Sequence, residues 1–272
     1  MIRGTTMKIG VALVSLVTGM TVMSFIWTPY DPLSIDAENS LAPISFSHPF
    51  GTDILGRDVL SNVIVGARST LLVAILSVAI AMLVGVITGV VAASLGSRAR
   101  SLLVFAIDIV LALPGVLVAI VLAAVYGPST ITATVAIGVA LSAAVAQVTR
   151  RAALTVLSQD FVMAAIASGS SRRRMFLHHL LPNLRANLLI QASGAAAIAI
   201  LAESTLSYLG LGTVPPTPSW GRMLAESQQF LILDPVVALW PGLFIALTVL
   251  GFNLLGDGLR EVLDHTMGPE RT

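Results

Sequence analysis

Few side chains in this sequence could do catalytic chemistry. Its 272 residues include no cysteine, which excludes disulfides, thiolate metal sites and cysteine nucleophiles. The single lysine, Lys8, lies between methionine and isoleucine, whereas a Walker A loop needs lysine after a glycine turn. His178 and His179 are neighbours that would point about 100° apart on a helix, which disfavours a shared metal ion. We therefore predict no catalytic residue, no metal site and no nucleotide site in this chain.

The composition is that of an integral membrane protein. Hydrophobic residues make up 56% of the chain and charged residues only 11%, whereas a soluble domain carries about 25% charged residues. Several apolar runs reach the length of about 18 residues that a helix needs to cross a bilayer. The runs are continuous and do not alternate, which favours helices over a barrel. A net charge of +1 gives no indication of nucleic-acid binding.

Six membrane spans are predicted, giving an all-α integral membrane protein. They lie near 9–27, 71–93, 102–126, 131–148, 188–209 and 234–255. The first could be a secretory signal, but no small-x-small cleavage site is evident, so an uncleaved helix is expected. Pro114 falls near the middle of the third span, Pro241 is expected to bend the sixth, and Gly85-x-x-x-Gly89 permits close helix contact in the second.

The spans divide the chain into four parts. Residues 1–30 form an N-terminal tip with the first span, and 31–69 form an extracytoplasmic segment. An amphipathic helix that begins near Asp58 is expected to lie on the membrane within that segment. Residues 70–257 form the core with five spans, including a polar region at 158–183, and 258–272 form a polar tail.

Basic residues predict the orientation. Six spans place both termini on one side of the membrane, and three basic residues, Arg57, Arg68 and Arg222, fall on the other side. An excess of Lys and Arg marks the cytoplasmic side, so both termini are predicted to be cytoplasmic. The side with both termini holds Arg3, Lys8, Arg98, Arg100, Arg150, Arg151, Arg172, Arg173, Arg174, Arg185, Arg260 and Arg271.

Two carboxylates lie within the predicted spans, where a charge costs about 2.5 kcal/mol or more unless it is paired or hydrated. Glu203 could face a transport pathway and meet a substrate ammonium, or it could be a structural partner for a polar group on another helix; both remain open. Asp108 lies nearer the cytoplasmic end, and snorkelling or pairing with an arginine is favoured. Glu203, Ser207 and Asp108 are the candidate pathway residues.

A polar segment, 160–183, interrupts the apolar runs on the cytoplasmic side, and we call it the docking segment. Asp160 can cap a short helix on which Phe161, Ala165 and Gly169 share one face. Gly169 would end that helix, and Ser171 would cap a second helix that ends at Pro182. A solvated loop that only enforces topology is the alternative. Topology needs the arginines but not the small-residue face, so a surface that binds another protein is favoured.

The same residues resemble a known signature. Ala164-Ala165-x-x-x-Gly169, followed by Leu181-Pro182, is similar to the EAA motif of ABC importer permeases. Phe161-Val-x-Ala-Ala and His179-Leu-Leu-Pro-Asn183 resemble the form found in the dipeptide/oligopeptide (and nickel) family. The likeness covers roughly residues 28–264 and resembles the second, C-type permease of the pair. It extends through Gly51-Thr-Asp-Ile-Leu-Gly-Arg-Asp58, Asp108-x5-Pro114, Glu203-Ser-Thr-Leu-Ser-Tyr-Leu-Gly-Leu-Gly212, Pro215-Pro-Thr-Pro-Ser-Trp-Gly221 and Phe252-Asn-Leu-Leu-Gly-Asp-Gly-Leu-Arg260.

The resemblance implies a type I ABC importer permease in the bacterial inner membrane. It implies a heterodimer with a sister permease, an extracytoplasmic substrate-binding protein, and two ATP-binding subunits or one fused ATPase that hold ATP and Mg. Transported solutes would be di- or oligopeptides, with nickel or another small solute as the alternative. A secondary transporter driven by an ion gradient is the rival from another class. The implied ATPase-coupling residues are Asp160, Phe161, Ala164, Ala165, Gly169, Arg172, Arg173, Arg174 and Pro182.

Overall fold

The computed structural model describes residues 3–171 and 174–266. Apart from one isolated β-bridge between Thr52 and Asp58, the regular structure of these ranges is helical. Short 3-10 helices lie at Ala37–Asn39 and Gln228–Phe230. The longer helices are α1 Arg3–Ser24, α2 Val59–Ser94, α3 Ser97–Ala112, α4 Gly115–Tyr126, α5 Thr130–Leu157, α6 Asp160–Ala167, α7 Met175–Tyr208, α8 Trp220–Ser227 and α9 Val236–Thr266.

Within the described ranges, five helices (α1, α2, α5, α7 and α9) are long and apolar enough to cross a membrane. The predicted third span is instead broken into α3 and α4, which are bent by 85°. The bend falls at Leu113 and Pro114, where Leu113 is extended with φ −80° and ψ 128°. A proline lacks the N–H group and disfavours helical backbone in the residue before it. Six spans result when this bent pair is counted as one.

The predicted amphipathic helix near Asp58 is not a separate element. Residues 59–70 form the first turns of α2, a single helix of 36 residues. The Asp58 carboxylate caps it by accepting a hydrogen bond from the Ser61 backbone N–H at 2.8 Å. Val59 and Val63 are buried with Val237 of α9 and do not lie on the membrane surface. No proline lies within residues 59–94, so the helix runs on.

Pro182 does not end a helix, which corrects the sequence prediction. The chain from Met175 to Tyr208 is one helix whose first six residues form a π turn, Met175–Leu180. The Leu181 N–H donates to the Phe176 carbonyl, five residues earlier. A proline inside an α-helix clashes with the carbonyl four residues before it, and the wider π turn relieves this clash. The predicted fifth span, near 188–209, therefore begins inside a longer helix.

The helices pack closely because small residues lie at their crossings. A methyl group added at Gly85 would lie 2.6 Å from the Val145 Cβ of α5, and one added at Gly89 would lie 2.5 Å from the Ala146 carbonyl oxygen. The predicted close contact through Gly85-x-x-x-Gly89 is thus confirmed. At the other end of the chain, α9 extends to Thr266 and includes Pro241, so the start of the predicted polar tail is helical.

Candidate docking surface and transport pathway

Among the described side chains of the helix α6, one is fully buried against the rest of the chain. Val162 is 0% exposed and packs in a cluster with Val156 of α5 and Leu180 of α7. Its neighbours Phe161 and Met163 are 43% and 60% exposed. Asp160 lies inside the first turn, which the Gln159 carbonyl closes by accepting from the N–H groups of residues 162 and 163. The helix therefore presents apolar side chains outward, with Val162 buried beneath it.

Gly169 ends this helix, as predicted. Its φ of +78° is a left-handed conformation that glycine adopts without the clash that other residues suffer. The Ser170 N–H then reaches back to the Ala165 carbonyl oxygen at 3.1 Å. A methyl group added at Gly169 would meet no described atom within 4 Å. Ala164 is exposed and Ala165 partly so, which leaves a small-residue surface open to a partner.

The second half of the docking segment begins as expected. The Ser171 hydroxyl accepts a hydrogen bond from the Arg174 N–H at 3.3 Å, which confirms its capping role. Arg174 and Pro182 are exposed. The His179 ring lies 6.2 Å from the Phe161 ring, so α6 and the start of α7 touch. Arg172 and Arg173, also predicted to face the ATPase, lie outside the described residues.

Glu203 and Ser207 form one buried network near the outer end of α7. Glu203 is 0% exposed, and its Oε1 accepts a hydrogen bond from the Ser207 hydroxyl at 2.7 Å. The Thr213 hydroxyl lies 3.4 Å from the same oxygen, and the Thr213 N–H donates to the Ser207 Oγ at 3.0 Å. Both predicted pathway residues thus face the interior of this chain, which agrees with the structural alternative for Glu203.

Asp108 is separate from that network. It lies on α3, is exposed, and has Gln147 Nε2 of α5 at 3.5 Å from its Oδ1. Among the described residues, Gln147 is the hydrogen-bond partner of Asp108, and no arginine donates to this carboxylate. The three candidate pathway residues therefore do not converge on one point of the fold.

An ion-pair network on the outer side was not anticipated from the sequence. Arg57 contacts Asp53 at 2.6 Å and Glu226 of α8 at 2.7 Å, and Glu226 also contacts Arg222 at 2.6 Å. Burial opposes the ionised form of Glu226, but hydrogen bonds from Arg57 and Arg222 outweigh it and lower the pKa of this carboxyl. The spacings 53/57 and 222/226 are sequence signals of local pairs. Arg57 and Glu226 are 169 residues apart, and no local pattern in the sequence indicates that they pair.

Comparisons with known proteins agree with this architecture. Residues 81–269 match the family model described as "Binding-protein-dependent transport system inner membrane component". The dipeptide transport system permease protein DppC of Alkalihalophilus pseudofirmus is 39% identical over 84% of this chain and 75% of its own length. A di/tripeptide permease of Pseudomonas aeruginosa is 40% identical over 87% and 80%. The probable D,D-dipeptide permease of Escherichia coli is 34% identical over 100% and 92%.

A solved structure supports the fold independently. An inward-facing MetNI methionine ABC transporter chain superposes with a TM-score of 0.63 over 74% of this chain and 96% of its own length. Its sequence identity of 15% makes this a likeness of fold. The helical architecture is that of a type I importer permease, and the family sets aside the ion-gradient-driven alternative. The chain belongs to the family of binding-protein-dependent transport system inner membrane components, and it is the permease subunit of an ABC importer in the bacterial inner membrane.

Proposed function

We propose that this permease forms half of a translocation pathway for di- or oligopeptides and pairs with a sister permease of the same family. An extracytoplasmic binding protein delivers the peptide, and two ATP-binding subunits or one fused ATPase hold ATP and Mg. The chain itself binds no nucleotide. Energy enters through the coupling region at 158–183, which includes the docking segment.

The exposed apolar surface of α6 carries this proposal. A cytoplasmic helix that leaves Phe161 and Met163 about half exposed, while a single Val162 holds it in place, gains by burying these side chains against a partner. Helix docking in a groove is a common mode of recognition. The open space at Gly169 lets a partner backbone approach. Arg174 supplies positive charge next to that surface, and Arg172 and Arg173 adjoin it in the sequence.

The peptide substrate rests on the relatives. The three similar permeases named above are described as transporting dipeptides, di- or tripeptides and D,D-dipeptides. They share 34–40% identity with this chain over most of its length. Nickel and other small solutes remain the alternative within the same family, because an extracytoplasmic binding protein would supply much of the selectivity.

The remaining parts of the chain have proposed roles as well. Residues 31–58, which precede α2, would form the extracytoplasmic surface together with α8. Residues 59–257 would form the core, with the exposed Asp108 as a candidate contact to the pathway. Residues 258–272 would lie in the cytoplasm, and α1 would pack at the edge of the core against α9.

Uptake by reconstituted complexes tests the proposed function. The permease, its copurified partners and the binding protein are placed in proteoliposomes with ATP inside or outside, and labelled dipeptide accumulation is followed. We expect ATP-dependent dipeptide uptake that unlabelled di- and tripeptides compete away and nickel does not. Competition by nickel alone would contradict the peptide assignment, and uptake without ATP would contradict the coupling.

A further inference from the structure

We propose that Glu203 is a positioning residue that fixes α8 and the loop before it to the outer end of α7. Through this junction, movement of the docking segment reaches the outer surface of the permease. The inference rests on the proposed function, because it takes the docking segment to follow the ATPase. It assigns Glu203 a role in coupling the two sides and not in binding substrate.

One continuous helix joins the two sites. The 34 residues of α7 span about 50 Å at 1.5 Å per residue, more than the roughly 30 Å of a hydrocarbon core. Its first turn belongs to the docking segment, where Leu180 packs with Val162 of α6. Its last turns carry Glu203 and Ser207. A displacement of the docking segment therefore acts on the same rigid element that holds the buried carboxyl.

At the outer end, Glu203 determines how the loop after α7 folds back. The Ser207 hydroxyl accepts from the Thr213 N–H, so its own proton is directed to Glu203 Oε1. Gly210, with φ +77°, lets the Leu211 N–H return to the Leu206 carbonyl oxygen at 2.8 Å, as in a Schellman motif. The carboxyl is thus the acceptor that holds Ser207, and Ser207 holds the loop.

The start of α8 meets the same carboxyl. The Trp220 backbone N–H donates to the Thr70 hydroxyl of α2 at 3.4 Å, and the side chains of Thr70 and Ser219, the residue before α8, lie near the Glu203 carboxyl. Trp220 is 0% exposed, and its indole N–H donates to the Val63 carbonyl oxygen of α2 at 2.9 Å. Gly221 lies so close to the Ser204 carbonyl oxygen of α7 that a side chain would not fit. Glu203 is therefore placed where α2, α7 and α8 meet.

The local chemistry suits positioning better than substrate binding. A fully enclosed carboxyl has no open route to a solute, and its polar neighbours are hydroxyl groups together with the N-terminus of α8, whose N–H groups favour negative charge. Glu203 Oε2 has no hydrogen-bond partner among the described residues. Glutamine would keep the acceptor at the Oε1 position with an uncharged amide, whereas leucine would remove it.

The far end of α8 extends the connection to the surface. Glu226, in the second turn of α8, bonds to Arg57 at 2.7 Å, and Arg57 bonds to Asp53 at 2.6 Å. Movement of α7 therefore reaches the loop before α2 through α8. This path consists of hydrogen bonds and ion pairs between described residues, and Glu203 is its buried member.

Variants that separate acceptor from charge test this role. The complexes compared carry wild-type Glu203, Glu203→Gln, Glu203→Leu or Ser207→Ala. Ser204→Ala is the matched control, since the Ser204 hydroxyl is buried beside Glu203 without a hydrogen-bond partner among the described residues. Because the chain has no cysteine, Ala225→Cys adds a single thiol on α8 whose labelling rate reports its movement.

We expect ATP to change the labelling rate at position 225 in wild type, Glu203→Gln and Ser204→Ala. In Glu203→Leu and Ser207→Ala the change should disappear, and dipeptide uptake per ATP hydrolysed should fall about tenfold or more. If Glu203→Gln loses uptake as completely as Glu203→Leu does, the proposal is overturned. It is also overturned if uptake and labelling are normal in both Glu203→Leu and Ser207→Ala. Labelling needs no transported peptide, so a wild-type complex that moves α8 but carries no dipeptide would refute the proposed substrate alone.

Discussion

Replacing Gly169 with tryptophan should uncouple transport from ATP hydrolysis while leaving the permease in the membrane. Gly169 has φ +78°, and no described atom lies within 4 Å of the position that a Cβ would take. The Cβ of the new residue therefore meets no described atom. The substitution does place a large ring on the surface where we propose that the ATPase subunit approaches.

The magnitude has two parts. A residue other than glycine in the left-handed region costs about 1–2 kcal/mol, which acts on the end of α6 and not on the packed spans. The ring itself must be accommodated by the partner, and a misfit of about 1.4 kcal/mol already lowers binding tenfold. Gly169→Asn separates the two, because asparagine tolerates the left-handed region better than tryptophan does.

A matched control removes the contribution of backbone strain. Gly127, in the turn before α5, has φ +84° and ψ 154°, a region that is essentially restricted to glycine, and no described atom lies within 4 Å of its Cβ position. Gly127→Trp therefore carries at least the same strain and the same bulk on the side predicted to be extracytoplasmic. Copurification of the ATPase, ATP hydrolysis and dipeptide uptake are measured for each variant.

We expect uptake to decrease from Gly127→Trp through Gly169→Asn to Gly169→Trp, with Gly169→Trp reduced at least about tenfold. The amount of permease in the membrane should be the same in all three. If Gly169→Trp transports as well as Gly127→Trp, the docking surface does not lie at the end of α6. The physical argument from its exposed residues would then be wrong.

Three further predictions concern stability. Val162→Ala removes the anchor of α6 at a cost of about 2 kcal/mol, so the docking segment should be cleaved faster by protease in inside-out vesicles. Gly89→Ala forces a methyl group against α5, at a cost of about 1–3 kcal/mol, and should lower the thermal midpoint of unfolding in detergent. Gly194→Ala is the control, because its methyl group meets no described atom within 4 Å, and it should not lower that midpoint. Because the pKa of Glu226 is lowered, its ion pairs stabilise the fold fully at pH values above the ordinary glutamate pKa. This stabilisation is lost as the pH falls through the lowered pKa. The Glu226→Gln variant lacks the titrating carboxyl, so its stability should decrease less on acidification than that of wild type.

The sequence predicts the number and type of elements well because lipid imposes them. A run of apolar residues long enough to cross the bilayer has no alternative to a helix. The position of Gly169 follows from local rules for helix ends, and it appears where the pattern indicates. The surroundings of Glu203 could not be predicted, because Thr70, Thr213 and Ser219 come from three different segments of the chain.

The two corrections to the predicted helices, at the start of α2 and at Pro182, have one physical origin. Hydropathy reports where a helix contacts lipid, whereas the length of a helix is set by its backbone hydrogen bonds and by packing beyond the bilayer. Val59 and Val63 extend α2 because they pack on α9, and a π turn extends α7 across Pro182. Both corrections lengthen helices past the membrane boundary. A permease that must connect its cytoplasmic and outer surfaces needs such helices, because a break at Pro182 would separate the docking segment from Glu203.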